Sequence, residues 1–166
     1  MKTIIISPYS RVPRSGVLAA KDYPYWTELV DLLHTVPYYT IQVGLAGEEL
    51  IGAKETKFDL ELVDLEALVK ASDTWISVDN FFPHMCSHLH KIGVVIWGIS
   101  DPLIFGAYKT NVNLLKSREN LRVPKQVPGK NMWIGGLFGL WDDEPYDPTV
   151  FVKPAEVLQA VQRVLS

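Results

Sequence analysis

The chain has 166 residues, 48% hydrophobic and 21% charged, which is enough for one domain burying about 70% of its unfolded surface and excludes a disordered chain. A net charge of −3 lacks the basic excess of a dedicated nucleic-acid binder. No apolar run reaches the roughly 18–20 residues of a membrane span, "MKTIIISPYS" is interrupted too soon for a signal peptide, and the lone Cys86 excludes an intrachain disulfide, so a reducing cytoplasm is expected.

Residues 2–7 (KTIIIS) are a β-branched run closed by Pro8 and predict a buried first strand. A loop rich in Ser, Arg, Pro and Gly follows. Tyr25, Trp26, Leu29, Val30, Leu32 and Leu33 then recur at helical spacing, with Asp22 as N-cap ahead of Pro24 and Pro37 as the stop. Residues 38–43 predict the second strand, closed by Gly44 and Gly47. A short amphipathic helix is expected from Asp64 (DLEALVKA), and residues 74–78 (TWISV) predict a third strand. Residues 83–91 read as helix, 93–97 as a fourth strand and 98–108 as loop. Residues 109–152 lack clear periodicity, and 153–165 (KPAEVLQAVQRVL) close the chain as a helix with Pro in its first turn.

Strands alternating with helices imply βαβ units and a three-layer, Rossmann-like α/β domain with a mainly parallel sheet, spanning residues 1–166 without repeat or linker. Ligands of such sheets gather at the carboxyl ends of the strands. Ser7 and Ser10, Gly44 and Gly47, Asp79, Asn80 and His84, and Gly98, Ser100 and Asp101 all fall at such ends.

One stretch carries a more specific pattern. Asp79-Asn80-Phe81 with His84 five residues after Asp79, then a helix, a strand and Gly98-Ile99-Ser100-Asp101-Pro102, resembles the Asp-Thr-Gly-x-x-His and Gly-x-Thr-Asp-Pro motifs of the ADP-heptose:lipopolysaccharide heptosyltransferases. The similar part is their C-terminal, nucleotide-sugar-binding half. "LIFGAY" (103–108), "SPYSR" (7–11), "KDYPYWTELVDLL" (21–33), "VGLAGEE" (43–49) and "KPAEVLQAV" (153–161) extend it at lower specificity, and 115–152 stay unmatched.

The resemblance implies one half of a GT-B glycosyltransferase that binds a nucleotide or nucleotide-diphosphate sugar as ligand or substrate, with no other cofactor. It implies Ser10, Lys21, Glu48, Asp79, Asn80, Phe81, His84, Ser100 and Asp101 around that ligand, with Glu48 (or Glu49) as ribose acceptor. A helix opening at Phe82 or Pro83 would offer unpaired N–H groups and a positive dipole end to a diphosphate, with Lys21 and Ser10 beside them. Phe81 stands where that pattern has Gly, and would either crowd a diphosphate or stack on a base or sugar ring. Transfer would invert the sugar without a metal. The family's usual catalytic base lies in the other half, so a homodimer or a partner is expected to complete the site; the rival readings are a non-catalytic nucleotide-binding module and a degenerate interaction domain.

Blander roles compete at several positions. Asp79 and Asp101 could be a carboxylate pair for acid–base work, or a loop and a cap residue. His84 and His88 share a helical face near Cys86 and His90, but the Glu of a His-Glu-x-x-His site is absent, so no metal is expected. Cys86 reads as a small buried residue. The aromatic, Gly-rich segment 131–147 suits an edge-covering hairpin, a lid or a dimer contact through Met132, Trp133, Leu137, Phe138, Leu140 and Trp141.

Overall fold

A computed structural model describes residues 1–10, 19–122 and 145–166. Six strands, β1 (Lys2–Ser7), β2 (Tyr38–Gly44), β3 (Glu55–Phe58), β4 (Thr74–Val78), β5 (Val94–Trp97) and β6 (Val112–Leu115), form one sheet in the order β3-β2-β1-β4-β5-β6. Every pairing is parallel. The four expected strands are the four central ones.

β1 explains why the central runs are apolar without alternation. Ile4 and Ile6 face a core built with helix α1 (Trp26–His34) and the closing helix α5 (Pro154–Leu165). Ile5 faces the opposite core, built with α2 (Leu62–Ala71) and α3 (Phe81–His88). All three isoleucines are fully buried, because a parallel sheet covered on both faces has no wet side. The expected three layers are therefore present. α5 opens with Pro154 in its first turn and Glu156 returning to the Lys153 backbone.

The two edge strands went unread. β3 (ETKF) and β6 (VNLL) have no fully buried position, and an edge strand with charged or amide side chains carries no continuous apolar run. A further short helix, α4 (Pro102–Phe105), sits where loop was expected, capped by Asp101. Residues 131–144 of the aromatic segment, with the six residues proposed for a dimer contact, lie outside the described residues.

Asp22 is not the N-cap of α1. The helix starts at Trp26 behind Tyr25, which makes no side-chain cap. Asp22 instead accepts from Ser10 and Ala19, as described below. β1 and β4 are neighbours although distant in sequence, so the chain reverses its winding direction between them. That switch point opens a crevice at the carboxyl ends of the two strands.

Candidate functional site

The crevice is assembled from three connections. Asn80, ending β4, sews two of them together: its Nδ2 donates to Ser7 Oγ (3.1 Å) and to the Tyr9 carbonyl (3.0 Å). Its Oδ1 accepts the Phe82 amide at 2.8 Å, so Asn80 is the N-cap of α3, which opens at Phe81 rather than at Phe82 or Pro83. The expected ligand residue Asn80 thus has its polar atoms engaged within the protein.

The loop after β1 is held from below by Asp22, whose side chain is fully buried. Its Oδ1 accepts the Ser10 amide (2.8 Å) and hydroxyl (3.0 Å), and its Oδ2 accepts the Ala19 amide (3.0 Å). Burial raises the carboxyl's pKa, against the pull of those Ser10 and Ala19 hydrogen bonds and of the Lys21 charge. Tyr146 donates to the Asp22 carbonyl at 3.0 Å and ties the returning C-terminal segment to the same point.

On the β4–β5 side, Lys21 Nζ donates to Asp79 Oδ2 at 3.2 Å, and Ser100 Oγ donates to the same oxygen at 2.9 Å. Both Asp79 and Ser100 are buried. Asp101 caps α4 by accepting the Leu103 amide (3.0 Å) and binds Arg118 through Nη2 (2.8 Å). Slight burial works against it, but Arg118 and the Leu103 amide together hold the Asp101 carboxyl below the usual range. The fold brings Ser100 to Asp79, turns Asp101 towards Arg118 and the Leu103 amide, and leaves both aspartates in ion pairs.

On the β1–β2 side lies an open cleft of about 180 Å³. Ser7, Ser10, Glu48 and Asp59 give it a polar corner; Val43, Leu60, Leu65 and the rings of Phe81 and Phe82 give it an apolar wall. Glu48 is only 9% exposed, and its Oε2 is buried with no hydrogen-bond partner among the described residues. Gly44 makes this possible: a Cβ there would lie 1.9 Å from Oε2, so only glycine lets the carboxylate lie over the end of β2. Burial raises the Glu48 pKa, opposed by the Leu45 amide and assisted by Asp22 and Asp59. Glu49, the alternative at this turn, is exposed, and its carbonyl accepts from Gln42.

Phe81 is 59% exposed at the cleft mouth, its ring edge-on to the buried Phe82 at 6.3 Å. One turn on, His84 Nδ1 lies 2.7 Å from the Tyr108 hydroxyl, with the two rings perpendicular. Tyr108 and Arg118 were not singled out from the sequence; no local pattern announces a partner 24 or 17 residues away. Cys86 is buried and its thiol pKa is pushed up by that burial. Among the described residues, no three His, Cys, Asp or Glu side chains come together to hold a metal ion, and no helix is long and apolar enough to cross a membrane.

No protein-family model and no curated protein sequence matches the chain. Two solved structures share its fold. One is a family 9 glycosyltransferase from Veillonella parvula, 16% identical with a TM-score of 0.67, covering 99% of this chain and 46% of that one. The other is E. coli heptosyltransferase WaaC with ADP, 19% identical with a TM-score of 0.55, covering 68% of this chain and 37% of that one. The chain therefore spans less than half the length of either neighbour, and its fold is that of one half of a GT-B glycosyltransferase.

Proposed function

We propose that this domain binds a nucleotide or nucleotide-diphosphate sugar, with a purine base, in the crevice at the β1–β4 switch point. The observation that carries this reading is Glu48. A nine-tenths buried glutamate whose Oε2 has no partner among the described residues is costly, and a ligand hydroxyl would supply the missing donor. The ribose diol is the natural candidate, with the base along the apolar wall of Val43, Leu60 and Leu65. Ser10, Lys21 and His84 lie on the side towards which phosphates and sugar would extend.

As part of a transferase, the domain would hold the donor while a partner or a second copy supplies the acceptor and the catalytic base. A binding module without transfer is the second reading, and one observation favours it. Asp79 and Asp101, the two carboxylates weighed for acid–base work, are both engaged in ion pairs.

Calorimetry against a panel of nucleosides, nucleotides and nucleotide sugars tests the binding. Glu48→Ala should weaken the best ligand by about 1–3 kcal/mol, the scale of a lost hydrogen bond to a charged group, and His84→Ala should weaken it in the same sense. A protein that binds nothing in the panel, or whose binding is abolished by a chelator, removes the proposal. Product analysis with a broad acceptor set then separates transferase from module, and light scattering reports whether a homodimer forms.

A further inference from the structure

The inference concerns which part of the ligand this site grips, and it rests on the reading just given. Three observations bear on the phosphate end. Of the first three residues of α3, Phe82 has its N–H capped by Asn80 Oδ1 at 2.8 Å and Pro83 has no N–H at all. Only the Phe81 amide remains at a helix end that ordinarily presents several. The side chain on that residue is a large, 59% exposed ring standing at the same mouth. Finally, among the described residues, the two lysines at the site are already paired, Lys21 with Asp79 at 3.2 Å and Lys57 with Glu55 at 2.8 Å. Drawing Lys21 onto a phosphate would leave the buried Asp79 carboxylate without its counter-charge.

The nucleoside end is equipped in the opposite way. The cleft offers acceptors, Glu48 and Asp59, beside an apolar wall, with Lys57 as the one cation of its described lining. Such a lining suits a donor-rich, neutral, partly flat molecule and is poorly matched to a polyanion. Phe81 stands between the two ends. Its ring is anchored through its edge contact with Phe82, yet more than half its surface is free to meet another flat group.

We propose that Phe81 is the specificity-determining residue of this cleft: its ring stacks on the nucleoside, and together with Pro83 it withdraws the end of α3 from phosphate binding, so that the nucleoside and not the diphosphate carries the affinity. The cleft then accepts nucleosides and nucleoside conjugates with little regard to the charge of the group beyond the ribose.

Calorimetry with a purine nucleoside and its own diphosphate tests this on the full chain. The wild type should bind the two within about threefold of each other. Phe81→Gly should weaken the nucleoside by about tenfold, since stacking a base on an aromatic ring is worth roughly one such factor or more. The same variant should bind the diphosphate better relative to the nucleoside, because the Phe81 amide becomes approachable. Phe81→Leu, which keeps bulk without the aromatic face, should weaken the nucleoside and leave the ratio unchanged; circular dichroism of each variant checks that it folds. A wild type that prefers the diphosphate by tenfold or more overturns this inference and leaves the nucleotide-binding reading standing. Unchanged affinities in Phe81→Gly also overturn it, and a wild type that binds neither compound sinks both.

Discussion

The two sides of the switch point are built from similar residues and are left in opposite states. On the β4–β5 side, Asp79 takes Lys21 and Ser100 on one oxygen, and Asp101 takes Arg118 and the Leu103 amide. On the β1–β2 side, Glu48 is about as withdrawn from water as Asp79 but keeps an oxygen without a partner among the described residues. Buried polar groups are satisfied almost everywhere in proteins, so the satisfied aspartates describe architecture, and the open oxygen of Glu48 is the one the proposed ligand would engage.

Substitutions ranked by expected effect on the unliganded protein can break that contrast. The largest loss belongs to Asp22→Ala, which orphans the Ser10 amide, the Ser10 hydroxyl and the Ala19 amide beneath the crevice. A destabilisation of about 3 kcal/mol in denaturant unfolding is expected from leaving such donors unpaired. Less than about 1 kcal/mol would mean that the loop after β1 finds other partners.

Asp79→Ala comes next, at about 2 kcal/mol, since Lys21 keeps a quarter of its side chain exposed and solvent recovers part of the lost pairing. Should this variant be as stable as wild type, the β4–β5 side is no more finished than the other.

Glu48→Gln should run the other way and leave stability unchanged or raised at neutral pH, while weakening ligand. The sign follows from the raised folded pKa: the folded state holds the Glu48 proton more tightly than the unfolded chain. Wild-type stability therefore falls relative to Glu48→Gln as pH climbs from the ordinary glutamate range through the raised value, and the difference levels off above it. Unfolding curves of the pair across that window check this, and a gap that widens towards acid would refute it.

Smallest of all is Arg118→Ala. With 60% of the arginine side chain exposed, its pair with Asp101 should contribute about 0.5 kcal/mol or less. A much larger loss would make that ion pair part of the sheet's support rather than a surface tie.

Much of this was legible in the chain. Lys2–Ser7, Tyr38–Gly44, Thr74–Val78 and Val94–Trp97 announce themselves because strands buried on both faces are mainly apolar, with few polar residues such as Thr40, Gln42 and Ser77. α5 is equally plain from Pro154 and its helical spacing. The edges, Glu55–Phe58 and Val112–Leu115, were hidden because half-wet strands tolerate polar residues. The motif residues Asp79, Ser100 and Asp101 lie just past the ends of β4 and β5, since a short loop between strand and helix leaves them little choice, while His84 lies inside α3.

What the sequence determined by itself was the layer architecture and the address of the crevice, because both follow from local periodicity and from where apolar runs stop. Which carboxylate is engaged and which is free was decided only by the tertiary structure. Nothing in the letters of Asp22, Glu48, Asp79 and Asp101 says which of these carboxylates will find a cation. Asp79 is joined to Lys21 across 58 residues once β1 and β4 lie side by side, and Asp101 to Arg118 across 17 once β5 and β6 do. Glu48 keeps one oxygen, Oε2, without a partner among the described residues, in a place that the absence of a side chain on Gly44 leaves open to it.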